Sequence, residues 1–153
     1  MASARPKVPP PLIGIAIAVA MWVVAQLAPV PSLVLPFRGV VAGLFAGFGF
    51  FIDAVSVLAF FSARTTINPL APQRTERLVT VGMFRYSRNP MYLGMLLMLC
   101  GWALWLAQPL NVVFPALFVW IINRSQIRPE ELVLAEKFGD DYQQYCQAVR
   151  RWV

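Results

Sequence analysis

Residues 39–61 read GVVAGLFAGFGFFIDAVSVLAFF, a run of 23 residues in which Asp53 is the only charged side chain. A helix of this length rises about 35 Å, which is enough to cross the roughly 30 Å hydrocarbon layer of a bilayer. The stretch therefore predicts a transmembrane helix, and it decides the fold class because one such helix commits the chain to a membrane.

The rest of the chain has the same apolar character. Of its 153 residues, 59% are hydrophobic and 13% are charged, and the mean hydropathy is +0.64, whereas soluble domains carry about 25% charged residues. A soluble fold of this length could not hide so much apolar surface from water. We therefore predict an all-α, polytopic membrane helical bundle that forms a single membrane domain over residues 1–153.

Apolar runs divide the chain into about four transmembrane helices. The Gln108-Pro109 pair separates the last two runs as a helical hairpin. Beyond them, apolar residues recur at steps of three and four with an interruption at Gly139, which predicts a C-terminal cytoplasmic amphipathic helix. The predicted spans are residues 12–28, 39–61, 91–107 and 110–122.

The distribution of Lys and Arg predicts the orientation of the bundle. Basic residues gather at the N-terminus, in the central polar segment 62–89 and in the tail, whereas the first external loop has only Arg38. By the positive-inside rule, both termini and the central segment face the cytoplasm, and we predict a bacterial or archaeal inner membrane. Anionic lipid headgroups then match the net charge of +6 better than nucleic acid does. If the C-terminal helix merely anchors the tail to the membrane surface, Arg150 and Arg151 would meet such headgroups.

Two motifs flank the hairpin. The first, GMFRYSRNPMYLG at residues 82–94, lies at the entry to the third span, and the second, RPEELVLAEKFGDDYQQY, occupies residues 128–145. Together they resemble the isoprenylcysteine carboxyl methyltransferase family and the related phospholipid methyltransferases. The signature of that family is Arg-His-Pro-x-Tyr-x-Gly, followed after a helical hairpin by Glu-Glu and then Phe-Gly-x-x-Tyr. The likeness covers roughly Leu78 to Trp152.

One position departs from the family pattern. Asn89 stands where the family usually has histidine, and the chain contains no histidine at all. Asparagine keeps a hydrogen-bond donor and an acceptor but cannot titrate, so a proton transfer assigned to that histidine would need another group here. The absence of histidine also argues against a metal site.

The resemblance implies an S-adenosylmethionine-dependent methyltransferase, with S-adenosylhomocysteine as product. The cofactor would lie at the cytoplasmic membrane face between elements at residues 78–94 and 128–152. A lipophilic small molecule would arrive from the bilayer and be methylated on a carboxylate, an amine or a thiol. The implied cofactor-binding residues are Gly82, Phe84, Tyr86, Arg88, Asn89, Tyr92, Gly94, Glu130, Glu131 and Phe138.

Each chemical part of that cofactor has a candidate partner. Its ammonium, sulfonium and ribose hydroxyls suit the acids Glu130 and Glu131, and its carboxylate suits an arginine. Its adenine suits an aromatic wall, for which Phe84, Tyr86 and Phe138 are candidates. As catalytic residues we expect Arg88 or Arg85 to orient the acceptor, and Glu130 to serve as the base that an amine acceptor would need.

Other functions remain open on the sequence alone. Four spans and the intramembrane acid Asp53 also suit a small proton-coupled multidrug-type transporter. Asn89 leaves room for a catalytically inactive binding module. The glycines Gly39, Gly43 and Gly47 recur every four residues and predict a face that another helix approaches closely. Neither the oligomeric state nor the identity of the methyl acceptor follows from the sequence.

Overall fold

The computed structural model describes residues 8–28, 30–31, 33–34, 36–62 and 78–153, apart from the side chain of Phe60. Several basic residues used to predict the orientation lie outside this range. They are Arg5 and Lys7 at the N-terminus and Arg64, Arg74 and Arg77 in the central segment, together with the acid Glu76.

Helices account for most of the described chain, and no strand occurs within it, so the predicted all-α fold class is confirmed. Short 3-10 turns at Gly82–Arg85 and Pro109–Val112 lead into the third and fourth helices, and a π-helical turn, Asn123–Ile127, joins the fourth to the fifth. The helices are α1 (Pro10–Leu27), α2 (Arg38–Ser62), α3 (Pro90–Leu106), α4 (Val113–Ile122) and α5 (Arg128–Ala148).

Within the part of the chain that the structure describes, three helical segments are long and apolar enough to cross a membrane, namely Pro10–Leu27, Arg38–Ala59 and Pro109–Ala148, and every charged residue of the last follows Asn123. Helix α3 is a shorter apolar helix of 17 residues. Their outer faces are apolar as well. On α1, for example, Ile15 is 60% and Trp22 is 50% exposed. Surfaces of this kind are stable against lipid and not against water. The chain is therefore an integral membrane protein.

The fourth span differs from its predicted form. The sequence predicts an apolar helix over 110–122 followed by a separate amphipathic helix, but the backbone continues helically from α4 through the π-helical turn into α5, as far as Gly139. The residues around the π-helical turn, Ile122 to Arg128, keep right-handed helical dihedral angles. A π-helical turn keeps the backbone groups paired within the chain, which suits the junction of a membrane helix with a helix at the membrane surface.

The core lies between α1, α3 and α4. Met21, Phe118 and Ile122 are fully buried at its centre, and the side chains of α3 pack against them. Polar side chains tie the helices together through backbone carbonyls. The Nδ2 atom of Asn111 donates to the carbonyl of Met21 at 3.2 Å, and Nε2 of Gln126 donates to the carbonyl of Val8 at 2.8 Å.

These ties also show which helix ends lie together. The Val8–Gln126 bond joins the start of α1 to the end of α4, whereas Gln108 donates to the carbonyl of Val30 at the opposite end of the bundle. The start of α3 and the start of α5 therefore share one end with the start of α1. Both sequence motifs lie at this end, which we call the motif end.

Helix α2 packs on α3 through small residues, although not at every position of the stripe predicted from the sequence. A Cβ atom on Gly49 would stand 2.5 Å from the carbonyl oxygen of Gly94, whereas Gly43 and Gly47 have open space around them. At Gly101 of α3 a Cβ atom would lie 2.8 Å from the carbonyl oxygen of Ala42. Among the described residues, the prediction of close packing therefore fails at Gly43 and Gly47. It holds for Ala42 and Ala46, the small residues that flank these glycines, because both meet Gly101 of α3.

Gly49→Ala should destabilise the bundle by about 1–3 kcal/mol, because the added methyl group meets the backbone of α3, which cannot move aside alone. Gly43→Ala is the matched control on the same helix and should be neutral or stabilising by up to about 1 kcal/mol, as for alanine in an open helical position. Thermal unfolding of the detergent-solubilised proteins measures both. Equal melting temperatures for the two variants would contradict the assigned packing face.

Candidate functional site

The two motifs meet at the motif end. The hydroxyl group of Tyr92, in the first turn of α3, donates a hydrogen bond of 2.7 Å to Oε1 of Glu130, in the first turn of α5. The two residues are 38 positions apart in sequence, and both are largely withdrawn from solvent. The folded chain thus brings the entry of α3 and the acidic opening of α5 into one site.

Glu131 forms the second link between the motifs. Its Oε1 lies 3.1 Å from Nη1 of Arg88, and its two oxygens accept hydrogen bonds of 2.9 and 2.6 Å from Nε and Nη2 of Arg151. A bidentate arginine–carboxylate pair fixes the orientation of both planar groups. Glu131 is therefore held between two guanidinium groups, and its hydrogen bond raises the pKa of Arg151 further above its ordinary value.

The last five residues, 149–153, fold back across the first motif; we call them the terminal segment. The backbone N–H of Arg88 donates to the carbonyl of Arg150, and Nδ2 of Asn89 donates to the carbonyl of Arg151, each at 3.0 Å. The indole N–H of Trp152 donates to Oδ1 of Asn123 at 3.2 Å. In this chain the amide that replaces the family's histidine holds the terminal segment in place.

Arg88 lies at the centre of the site. Its Nη1 is 2.7 Å from the sulfur of Cys146, while its Nε is buried and has no hydrogen-bond partner among the described residues. The phenols of Tyr142 and Tyr145 lie nearby, and burial raises the pKa of each. The hydroxyl of Tyr145 donates to the carbonyl of Phe84 at 2.7 Å, which ties α5 to the turn that precedes α3.

Local sequence explains how these side chains are positioned. Pro90 begins α3 at a position where a helix does not need the missing N–H, and Pro129 is the second residue of α5, directly after the π-helical turn. Gly139 interrupts α5 with φ of 49°, a left-handed conformation that glycine adopts without strain. The interruption expected at Gly139 is thus present, and Tyr142 and Cys146 follow it toward Arg88.

Burial raises the pKa of the Glu130 carboxyl from its ordinary 4.5 to about 7; the hydrogen bond from Tyr92 opposes the rise, and the charge of Glu131 adds to it. The folded state thus favours the protonated acid. As the pH rises from about 4.5 to about 7, the unfolded chain loses this proton before the folded chain does, so the folded state loses stability across that window. Glu130 can therefore exchange a proton near neutral pH.

The structure brings together five of the residues predicted from the motifs and separates the others. Arg88, Asn89, Tyr92, Glu130 and Glu131 form the linked site described above. The remaining residues differ in their surroundings: Arg85, Tyr86 and Gly82 are exposed, Phe84 packs with Ala59 and Val79, and Phe138 is half-buried.

Gly94 has a different role from the predicted one. The sequence predicts that a ligand approaches the helix backbone there, but the place of a Cβ atom on Gly94 is taken by the carboxyl group of Asp53 and by the backbone of Gly49. The small size of Gly94 therefore serves the contact between α2 and α3.

Sequence reasoning missed three contributors to the site. Arg151 was assigned to lipid headgroups under one of two alternatives for the tail, whereas its guanidinium binds Glu131. Cys146 and Ser87 were given no role. The hydroxyl of Ser87 accepts a hydrogen bond of 3.1 Å from the N–H of Asn89. The spacing of Tyr142, Tyr145 and Cys146 indicates that they share one face of α5, so it could have placed the sulfur of Cys146 in the site. Nothing in the sequence indicates that the terminal segment folds back.

The fold and the site together define an integral membrane helical bundle with linked acids and arginines at one end. The family model described as phospholipid methyltransferase matches residues 37–141, which is more than half of the chain and includes Arg88, Tyr92, Glu130 and Glu131. The chain therefore belongs to the phospholipid methyltransferase family. No solved structure matches it.

Several relatives are similar over part of the chain. An uncharacterized protein of Haemophilus influenzae is 48% identical over 63 residues, which are 41% of this chain and 100% of that protein. The rat protein-S-isoprenylcysteine O-methyltransferase is 30% identical over 102 residues, 65% of this chain and 36% of the relative. A probable protein-S-isoprenylcysteine O-methyltransferase of Oryza sativa is 36% identical over 74 residues, 48% of this chain and 39% of the relative. The chain thus spans well under half the length of these methyltransferases.

Glu130→Gln should remove the pH dependence that the buried acid causes. Relative to this variant, the wild-type protein should lose about 3 kcal/mol of unfolding free energy between pH 4.5 and 7, where the folded state keeps the proton longer. Melting temperatures of the solubilised proteins across this range measure the effect. Glu136→Gln, at an exposed position of α5, is the control, and parallel pH profiles for wild type and Glu130→Gln would contradict the raised pKa.

Arg151→Gln should loosen the terminal segment. We expect a loss of about 1 kcal/mol, because the Arg151 side chain is 37% exposed and water partly screens its pairing with Glu131. Hydrogen exchange at the amides of residues 149–153 should become faster. Arg150→Gln is a matched control, since Arg150 is exposed and contributes only its carbonyl; equal exchange in both variants would contradict the anchoring role of Arg151.

Proposed function

We propose that this protein is an S-adenosylmethionine-dependent methyltransferase that modifies a lipophilic acceptor at the cytoplasmic face of the membrane. The hydrogen bond between Tyr92 and Glu130 carries the proposal. It joins the two motifs that resemble the methyltransferase signature, and it does so at the end of a membrane bundle, where a water-soluble cofactor and a membrane-borne acceptor can meet.

The donor set of the site fits the cofactor. Buried Nε of Arg88 is a hydrogen-bond donor without a partner, and we assign it to the α-carboxylate. Glu130 is a buried acceptor for the ammonium or ribose groups. When bound, S-adenosylmethionine supplies an electrophilic methyl group, whose bond to sulfur breaks as the lone pair of the acceptor forms the new bond, leaving a neutral thioether.

The residues of the site orient the reacting groups and exclude water from them. In-line displacement depends mainly on orientation and on exclusion of water. Glu131 keeps Arg88 in place, and Asn89 keeps the terminal segment over the first motif. A carboxylate or thiolate acceptor needs no base, whereas an amine must lose a proton, which Glu130 can accept because its pKa is about 7. Of the two arginines expected to orient the acceptor, Arg85 is exposed and Arg88 is held by Glu131 within the site, so we assign that role to Arg88.

The alternatives are less well supported. The family match favours methyl transfer over a proton-coupled transporter, and a transporter has no need for linked acids and arginines at the membrane surface. The argument for a catalytically inactive binding module was that Asn89 replaces a titratable histidine. Glu130, however, supplies a titratable group within the same site. The cytoplasmic location of the site rests on the distribution of basic residues.

Purified protein in detergent should bind S-adenosylmethionine in an isothermal titration. Glu130→Gln and Arg88→Gln should each weaken binding about tenfold or more, since each removes a hydrogen bond to a charged group. Glu136→Gln should bind as wild type does. The proposal fails if the wild-type protein gives no heat of binding, or if Glu130→Gln and Arg88→Gln both bind as tightly as the control.

A further inference from the structure

The guanidinium group of Arg88 is held through one of its three nitrogens. Its Nη1 atom lies 3.1 Å from Oε1 of Glu131 and 2.7 Å from the sulfur of Cys146. Its Nε atom is buried and has no hydrogen-bond partner within the part of the chain that the structure describes. One nitrogen of this planar group therefore has two acceptors, while another still needs one.

The unpaired nitrogen belongs to the edge of a guanidinium group that binds carboxylates. The N–H groups of Nε and Nη2 point in the same direction and together fit the two oxygens of a carboxylate, whereas Nη1 lies outside this pair. Arg151 shows the arrangement in this protein, because its Nε and Nη2 bind the two oxygens of Glu131. Glu131 and Cys146 thus hold Arg88 by the nitrogen outside its carboxylate-binding edge.

Cys146 is positioned by the second half of α5. The helix is interrupted at Gly139, where φ is 49°, and beyond it Tyr142 and Cys146 lie one helical turn apart on the same face. Tyr142 is buried, and its hydroxyl group interacts with the sulfur of Cys146. The sulfur therefore contacts both a buried phenol and the guanidinium group of Arg88, which fixes its place within the site.

A second acceptor on Nη1 restricts the motion of the Arg88 side chain. With Glu131 alone, the guanidinium group could swing about the single bonded nitrogen, and the contact with Cys146 limits this movement. A long side chain loses rotamer freedom when a ligand orders it. Because Arg88 is already ordered by two contacts, less of this entropy remains to be lost when a ligand binds, so affinity is higher.

We infer that Cys146 is a positioning residue of the cofactor site: together with Glu131, it presents the carboxylate-binding edge of Arg88 to the α-carboxylate of S-adenosylmethionine. The inference rests on the proposed function, because it takes that carboxylate to be the missing partner of Nε. Cys146 acts through Arg88 and not through the cofactor itself. Its loss therefore weakens recognition of the carboxylate and leaves the contacts of the adenosyl part unchanged.

Two ligands distinguish this role from a general structural one. S-adenosylmethionine has the carboxylate, and decarboxylated S-adenosylmethionine lacks it; isothermal titration of the full chain in detergent measures both affinities. Cys146→Ala should weaken binding of S-adenosylmethionine about fivefold, as for the loss of one hydrogen bond, and should change binding of the decarboxylated ligand less than about twofold. An equal loss for both ligands, or no loss for either, would overturn the inference.

Two further cysteine variants serve as controls. Cys146→Ser keeps a hydrogen-bond acceptor at this position and should bind S-adenosylmethionine within about twofold of wild type. Cys100→Ala removes the other free cysteine, which lies on α3 about 15 Å of helical rise from Pro90, and should bind both ligands as wild type does. A Cys146→Ser variant as weak as Cys146→Ala would contradict the role of the acceptor and overturn the inference.

The variant Arg88→Gln tests whether the effect passes through the guanidinium group. Adding Cys146→Ala to Arg88→Gln should cause no further loss of affinity for S-adenosylmethionine, since the group that Cys146 positions is then absent. Losses that add in the double variant would show that Cys146 acts independently of Arg88 and would overturn the inference.

The same titrations separate the positioning role from the proposed function. If wild type binds S-adenosylmethionine and Cys146→Ala binds it equally well, the positioning role is overturned and the proposed methyltransferase stands. If wild type binds neither ligand, the proposed function is overturned, and the inference fails with it. A loss in Cys146→Ala that is confined to the ligand with the carboxylate supports both.

Discussion

The pairing of two neighbouring acids, Glu130 and Glu131, is the constraint on which the rest of the structure depends. Carboxylates withdrawn from water are costly unless each has a partner. Tyr92 partners the first, and two arginines partner the second. These contacts require that three elements meet at one point: the start of α3, the start of α5 and the terminal segment. They therefore determine the packing at the motif end.

The contact between α2 and α3 is a second constraint, and it has a different physical origin. Within lipid, helices gain little from burying apolar surface, so close approach of their backbones matters more. Gly49, Gly94 and Gly101 allow that approach. The same contact brings Asp53 of α2 against Gly94, one helical turn into α3.

Much of the fold could be predicted from the sequence because the bilayer imposes a simple rule. A helix must stay apolar for about twenty residues, so the runs that became α1, α2 and α3 were visible directly. The joint motif likewise predicted that Tyr92, Glu130 and Glu131 share a site. Both signals depend on local sequence or on a motif of known spacing, and neither required knowledge of packing.

The other features depend on tertiary contacts that leave no local signal. Small residues lie on two faces of α2, so the sequence could not show that Gly49 packs and Gly47 does not. Arg151 resembles any basic residue near a membrane until the terminal segment folds back onto Glu131. The sequence could not show the role of Asn89 either, because the group that its side chain binds is a backbone carbonyl, and every residue has one.

The π-helical turn at Asn123–Ile127 determines the direction in which the side chains of α5 point. Its hydrogen bonds reach one residue further than those of an α-helix, and one residue turns a helix by about 100°. The turn therefore rotates the side chains of α5 by about 100° relative to the positions they would have in a continuous α-helix. Deletion of a single residue within the turn would therefore rotate Glu130 and Glu131 away from Tyr92.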